Sequence, residues 1–254
     1  MSDDYDLDSG PDPATVAAAE PEPAAESGGN LVHAVGIGPG NPEYLTPRGE
    51  RAIREADVVV GFETVVAFVA DRTDADLLTC GYRDERAALT TFADRVADGE
   101  VGTAVLMGDP NHSGYQFVGK VQRAVDAPVR VLPGISSLQV AASRARTPME
   151  ASEFVTLHKS GDVTPGLERL RGTVGQRHLL VLPRPFDWMP EDIAADLLES
   201  GASPDLEALV LERLTHDDET VTRTTLDDLA ARADEGEADG SPFSDLSVLV
   251  VRST

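Results

Sequence analysis

The sequence predicts an α/β protein made of two α/β domains, and three observations predict it. Short apolar runs alternate with stretches of helical periodicity, which implies parallel strands joined by crossover helices. The alternation comes in two series, with a natural break at Pro148. The length, 254 residues, is enough for one large or two modest cores.

Residues 1–29 hold Pro11, Pro13, Pro21 and Pro23 among Ala, Glu, Asp and Gly, with no aromatic after Tyr5. Such a segment buries too little apolar surface to offset the entropy of ordering, so it is expected to be a disordered acidic tail. The first domain, 30–149, opens at Leu31 with the strand LVHAVGI over 31–37. Further strands are expected at 57–60 (DVVV), 103–107 (TAVLM) and 129–132 (VRVL). Helices are expected near 47–56, 62–71, 84–98, 114–126 and 135–146, the first opened by Thr46 as N-cap and Pro47 in its first turn. In the second domain, 150–254, strands are expected at 153–157, 178–182, 207–212 and 246–251, and helices near 165–172, 190–199 and 225–233. The stretch 234–245, DEGEADGSPFSD, reads as an acidic surface loop.

Charge is the unusual property. There are 45 acidic and 21 basic residues, a formal net charge of −24, and the lysines are only Lys120 and Lys159. A field of that sign repels nucleic acid and anionic membrane. It reads as a heavily hydrated acidic surface, as in proteins of salt-loving organisms. No apolar run approaches the ~18 residues of a membrane span, and MSDDYDLDSG lacks the regions of a signal peptide, so a cytoplasmic location is expected. A single cysteine, Cys80, allows no internal disulfide and reads as a small buried filler.

Two turns follow predicted strands. VGIGPGNPEYLT has a glycine cluster, but Gly-x-Gly-Pro-Gly is not a dinucleotide fingerprint, and Pro39 has no N–H to offer a pyrophosphate. Read without a ligand, it would be a glycine turn that lets two domains come close. MGDPNHSG, at 107–114, lies where open α/β sheets bind ligands. Asp109 before Pro110 also suits a turn cap, a role compatible with ligand contact, and His112 also suits a plain wall position.

Taken together and in order, VGIGPGNPEYLT at 35–46, GDPNHSG at 108–114 and LPGISSLQVAASR at 132–144 resemble the tetrapyrrole methylases. The similarity continues through LPRPF at 182–186 and LERLTHDDETVTRTTLDDL at 211–229, and so covers nearly everything after residue 30. Within that family, PGISSLQVAASRARTPMEASEFVTLH and the 211–229 segment are most similar to the group that methylates C-5 of precorrin-7 or cobalt-precorrin-7 in cobalamin biosynthesis. Asn41 stands where an Asp is more usual, and His112 and Ser113 replace larger residues of many relatives.

The resemblance implies two α/β domains with a cleft between them, S-adenosylmethionine as cofactor, a tetrapyrrole substrate and a homodimer. It places Pro39, Met107, Gly108, Asp109, His112, Ser113, Ser136, Ser137, Leu182, Leu211 and Glu212 at the cofactor. Other reactions of the family are methylation of another corrin carbon or of uroporphyrinogen III, and diphthine synthesis. Outside catalysis, the same loops would serve a nucleoside-binding protein. Methyl transfer from a sulfonium is an in-line displacement that needs alignment and exclusion of water, with no Ser or Cys nucleophile. No proton-accepting residue is assigned.

A corrin ring carries several carboxylates, so an acidic chain must keep local cations at its site. His158, Lys159 and Arg184 are the candidates, with Arg83 and Arg86 also open to a reading as a surface helix start. Trp188 and Phe186 line the site or cap the core. His33 and His178 lie within strands as packed residues, and the five histidines show no metal-ligand spacing, so no protein-bound metal is expected. Any cobalt would belong to the substrate ring.

The charge has a direct consequence. The Debye length grows from about 3 Å in molar salt to about 10 Å at 0.1 M, exposing like charges to one another. Thermal melts in decreasing KCl should show a falling Tm, and a Tm independent of salt would refute the self-repulsion argument.

Overall fold

The computed structural model describes residues 10–19, 31–81, 83–185, 187–233 and 240–253. The chain divides into two compact units, Met1–Ser136 and Ser137–Thr254. This division falls earlier than the break expected near residue 149. The helix after Ser136 packs on strands of the second sheet and so belongs with the second unit.

The first unit contains helix α1 (Pro13–Ala18), strand β1 (Val32–Gly36), α2 (Pro47–Arg54), β2 (Val58–Phe62), α3 (Glu63–Val66), β3 (Asp76–Cys80), α4 (Glu85–Ala97), β4 (Gly102–Leu106), α5 (Tyr115–Ala124) and β5 (Val129–Leu132). The sheet order is β3-β2-β4-β1-β5, and every pairing is parallel. Helices cover both faces. Leu89, Phe92 and Val96 of α4 and Phe117, Val118 and Val121 of α5 pack on Val32, Ala34, Ala104 and Leu106. On the other face, Ala52 and Ile53 of α2 and Val65 and Val66 of α3 pack on Val35, Val59 and Val105. The strands buried on both sides read as continuous apolar runs, which is why they were visible in the sequence.

The connections from β1 and β4 run in opposite directions. The chain leaves β1, crosses β4 and enters β2, whereas it leaves β4, crosses β1 and enters β5. Two adjacent strands whose crossovers diverge make a switch point, and open α/β sheets bind ligands at the carboxyl ends of such strands.

Two features of this unit differ from expectation. Strand β3 was not foreseen: DLLTC is a mostly exposed edge strand with no marked alternation. Within the segment expected to be disordered, residues 13–18 form α1. Asp12 caps it by accepting from Thr15 N–H at 2.7 Å, and Pro13 occupies its first turn. Composition argued for disorder here, but Asp-Pro followed by an Ala-rich run is a helix start in its own right. The helix packs on α5. Residues 1–9 and 20–29 of the predicted tail, and 234–239 of the predicted surface loop, lie outside the described residues.

The second unit contains α6 (Ser137–Ala145), β6 (Ser152–Thr156), α7 (Thr164–Thr173), β7 (His178–Leu182), α8 (Pro190–Glu199), β8 (Glu207–Glu212), β9 (Thr220–Thr225), α9 (Leu226–Ala230) and β10 (Ser247–Val251). Its sheet, β6-β7-β10-β8-β9, is mixed: β6 and β7 are parallel, β10 is antiparallel to both its neighbours, and β8 and β9 are antiparallel. Strand β9, TVTRTT, is an edge strand with little apolar content and so carries no strand signal in the sequence. The core joins Leu167 and Leu170 of α7, Ile193 and Leu197 of α8, and Leu226 and Leu229 of α9 to Leu179, Val181, Val210 and Leu249.

Inside the first unit lies a buried ion pair. Lys120 on α5, 7% exposed, meets Glu85 at the start of α4, 6% exposed, at 2.5 Å. Burial, followed by the charges of Glu85 and Asp84, pushes the neighbouring Cys80 thiol up to about 12, so it is an inert group that donates to the Gly61 carbonyl. Removing one partner of such a pair strands a buried charge. Lys120→Ala should destabilise the unit by about 3–5 kcal/mol, and replacing both partners by apolar residues should recover most of that. Denaturant unfolding followed by circular dichroism reads both variants.

Candidate functional site

In the first unit the three sequence segments come together at the carboxyl edge of the sheet. Because β1 lies between β4 and β5, the turns that follow these strands share one edge. Ile37 N–H donates to the Leu106 carbonyl at 2.9 Å, and Gly38 and Gly108 exchange two backbone hydrogen bonds at 2.7 and 3.3 Å. A Cβ on Gly36 would lie 2.5 Å from the Gly108 oxygen and 2.6 Å from Gly134 N. One on Gly134 would lie 2.2 Å from the same oxygen and 2.7 Å from the Gly36 carbonyl carbon. Backbone therefore packs directly on backbone, which only glycine permits.

Around this contact stand the predicted residues. Pro39 is buried between Gly38 and Gly40, both at positive φ. Met107 is half-buried against the α2–α3 face, and Gly108 turns the chain at φ +64°. Asp109 caps the π turn Pro110–Gly114, its Oδ1 accepting from Asn111 N–H at 2.7 Å and Nδ2 at 3.0 Å, so the cap reading holds. His112 is half-buried in that turn. Ser113 lies in the same turn, its side chain outside the described residues. Ser136 is buried beside Gly108, which its Cα approaches. The turns are built mostly of Gly, Pro, Ser, Asn and Asp, and hold no cluster of cations. That residue set suits a polar ligand without phosphate groups, such as a nucleoside joined to an amino acid.

The second unit carries the rest. Ser137 opens α6 and is half-buried. Leu182 ends β7 and Leu211 and Glu212 end β8, so all three lie at one end of the sheet, on either side of β10. The Glu212 carboxylate is already used, accepting from Ser244 N–H at 2.8 Å and the Thr220 hydroxyl at 3.2 Å. At the same end, register pairs Thr156 with Leu182 and Ser247 with Glu212. Thr156 Oγ1 and Ser247 Oγ are buried there without a hydrogen-bond partner from the chain. Sequence reasoning missed both, since a lone hydroxyl in a strand carries no pattern.

The three predicted cations prove unequal. Arg184 is held in a fork by Asp187, with Nε to Oδ1 at 2.7 Å, and donates through Nη1 to the Gly161 carbonyl at 3.1 Å. Burial lowers the pKa of His158, whose ring also bonds the Pro183 carbonyl. The imidazole is thus neutral at pH 7, a hydrogen-bonding group rather than the cation expected. Lys159 is half-buried, and it stands with Arg184 near Asp162, whose carboxyl is held low by Thr164 first and by those two cations next. Arg83 and Arg86 are exposed on the approach to α4 and its first turn. Trp188 packs against the second core and pairs its backbone with Arg184, while Phe186 lies outside the described residues. Among the described residues no group of three or more His, Cys, Asp or Glu could hold a metal. A groove of about 400 Å³ lined by Arg171, Val174, Gly175, 200–203, Asp205 and Leu206 lies before β7 and β8, at the opposite end from Leu182 and Glu212.

The sequence profile of the Tetrapyrrole (Corrin/Porphyrin) Methylases matches residues 31–230. A probable cobalt-precorrin-7 C(5)-methyltransferase of Methanocaldococcus jannaschii is 29% identical, over 79% of this chain and 92% of its own length. The cobalt-precorrin-4 C(11)-methyltransferase of Priestia megaterium is 25% identical, over 78% of this chain and 80% of its own. The fold matches that of uroporphyrin-III C-methyltransferase from Thermus thermophilus, solved with S-adenosylhomocysteine, at a TM-score of 0.65 and 22% identity, covering 87% of this chain and 92% of that one.

The glycine contact is open to a direct test. Gly134→Ala forces a Cβ into a carbonyl that cannot retreat, and should destabilise the first unit by about 3 kcal/mol. Gly99→Ala, with nothing within 4 Å of its Cβ site but φ at +100°, should cost about 1 kcal/mol. Equal melting shifts for the two would show that space, as opposed to φ, is not what Gly134 is for.

Proposed function

The chain belongs to the tetrapyrrole methylase family, and on that premise we propose that it transfers a methyl group from S-adenosylmethionine to C-5 of cobalt-precorrin-7. The observation that carries the reading is the meeting of the 36–40, 107–114 and 133–136 turns in one backbone contact. The residues present fit the cofactor. S-adenosylmethionine has no phosphate, so a turn with a proline in place of a donor loses nothing. Gly38, Gly108, Asp109, His112 and Ser136 are the contacts proposed from the first unit. Ser137, Leu182, Leu211 and Glu212 are those proposed from the second, with Pro39, Met107 and Ser113 completing the set. The unpartnered hydroxyls of Thr156 and Ser247 offer two further bonds.

When bound, the cofactor supplies an electrophilic methyl on a sulfonium. The protein's work is to hold it still, exclude water and present a ring carbon in line with the methyl. No side chain has to become covalently attached. Arg184 and Lys159 receive the ring's carboxylates, and Asp187 keeps the Arg184 guanidinium in place until they arrive. Methylation of C-11 is the second reading, favoured by the Priestia relative. The remaining expectations, a cytoplasmic homodimer with no nucleic-acid partner in a salt-loving cell, belong to the same proposal.

Calorimetry with S-adenosylhomocysteine tests the cofactor, and mass gain with purified cobalt-precorrin intermediates tests the acceptor. Arg184→Ala should raise the acceptor KM about tenfold or more, the value of one charge-assisted hydrogen bond, and leave S-adenosylhomocysteine affinity within about twofold. Equal loss of both would remove Arg184 from the acceptor side.

A further inference from the structure

The turn between β8 and β9 is built in a conformation its own residues disfavour. Arg213 stands at φ +50° and Thr215 at φ +73°, and neither is glycine. A β-branched residue in the left-handed region crowds its Cβ against the backbone, and it stays there only if its surroundings hold it. Thr215 is also buried, 9% exposed, so water does not provide the hold.

Glu219 provides it. Its Oε2 accepts from Thr215 N–H at 2.7 Å. The same carboxylate takes the Arg144 guanidinium in a fork, Nε to Oε1 at 2.8 Å and Nη2 to Oε2 at 3.3 Å. Arg144 lies in the last turn of α6, the helix that Ser137 opens. Arg144, followed by the Thr215 N–H, keeps the Glu219 carboxyl below its usual range, so the carboxylate is ionised at neutral pH. Two backbone bonds close the turn, His216 N–H to Arg213 O and Glu219 N–H to His216 O, both at 3.0 Å. Arg213 N–H reaches the Leu246 carbonyl at 2.8 Å, just before β10. One carboxylate thus fastens a strained turn to a helix, next to Leu211 and Glu212.

Strain that persists in a closed, multiply bonded turn points to a geometric task. We propose that Glu219 is a positioning residue for the methyl donor: it holds the 213–219 turn in its high-energy backbone so that the end of β8 keeps the shape the donor requires. This rests on the reading of Leu211 and Glu212 as donor contacts. A merely structural Glu219 would act on stability alone, whereas a positioning Glu219 acts through the backbone it holds, and a residue at ease in that backbone should replace its function.

The test uses the full chain in salt that keeps it folded, with S-adenosylhomocysteine as probe, read by calorimetry beside thermal melts. Glu219→Ala should weaken binding about tenfold or more, equivalent to about 1.4 kcal/mol of lost contacts. Thr215→Gly alone should raise Tm, since glycine has no Cβ to crowd at that φ. The double variant Glu219→Ala with Thr215→Gly should regain most of the lost affinity. If Glu219→Ala lowers Tm and leaves affinity unchanged, or if glycine fails to restore affinity, the proposal is overturned. Should Glu219→Ala not fold, Glu219→Gln, which keeps an acceptor for Thr215 N–H and loses the charge facing Arg144, should weaken binding by a smaller factor, and unchanged binding would count against the proposal. Absence of any heat with the unaltered protein sinks the donor reading itself, and this inference with it.

Discussion

The first unit turns on a contact with no side chains in it. Gly36 and Gly134 close on the Gly108 carbonyl because neither carries a Cβ, and Gly108 turns the chain there at positive φ. The strand order makes the meeting possible, since β4, β1 and β5 are neighbours and their carboxyl ends face the same way. The absence of side chains makes it close. What results is a close-packed backbone floor whose Gly38 and Gly108 amides bond one another, with Asp109 turned back to cap its own π turn. A floor of that kind recognises shape and hydrogen-bonding pattern rather than charge, which separates it from a phosphate cradle.

Buried charge is handled differently in the two units. In the first, one of only two lysines is spent on Glu85, far inside the α4–α5 layer. A dry pair like this contributes little net stability, but neither partner tolerates the loss of the other, so it ties two helices together in one register. The second unit keeps its ion pairs nearer to water. Arg144–Glu219 and Arg184–Asp187 are partly exposed, and each fastens a turn at the sheet end where Leu182 and Glu212 stand. Such pairs are weak as stabilisers and useful as geometry.

Much of this was legible in the residues. Strands buried on both faces, β1, β2, β4, β7, β8 and β10, announced themselves as apolar runs, and Thr46-Pro47 announced α2. The edge strands β3 and β9 did not, because a strand half in water needs neither alternation nor apolar content. The glycine turns were visible as motifs, yet nothing local in Gly134 says that its neighbours are Gly36 and Gly108; that follows from strand order. Arg184 reads in the sequence as a cation for the ring's carboxylates, and its pairing with Asp187, three residues on, is seen only in the fold. His158 was read as charged because burial is not written in a dipeptide. The strained turn at 213–219 was the least readable, since neither Arg213 nor Thr215 advertises a positive φ.

The acidity of the chain acts with opposite sign on the two partners proposed for it. A sulfonium donor is cationic at its reacting centre, and a net charge of −24 favours its approach. A ring bearing several carboxylates meets repulsion from the same field, which a salt-rich medium shortens to a few ångströms. What remains is local, and there the arrangement matters more than the total. Lys159 and Arg184 stand together beside Asp162, and Arg184 is already aligned by Asp187 and the Gly161 carbonyl. A carboxylate arriving at this cluster meets a guanidinium that needs no ordering, so part of the entropic cost of binding is met within the fold. An acidic protein can therefore accept an acidic ring, provided that its few cations are fixed in position before the ring arrives.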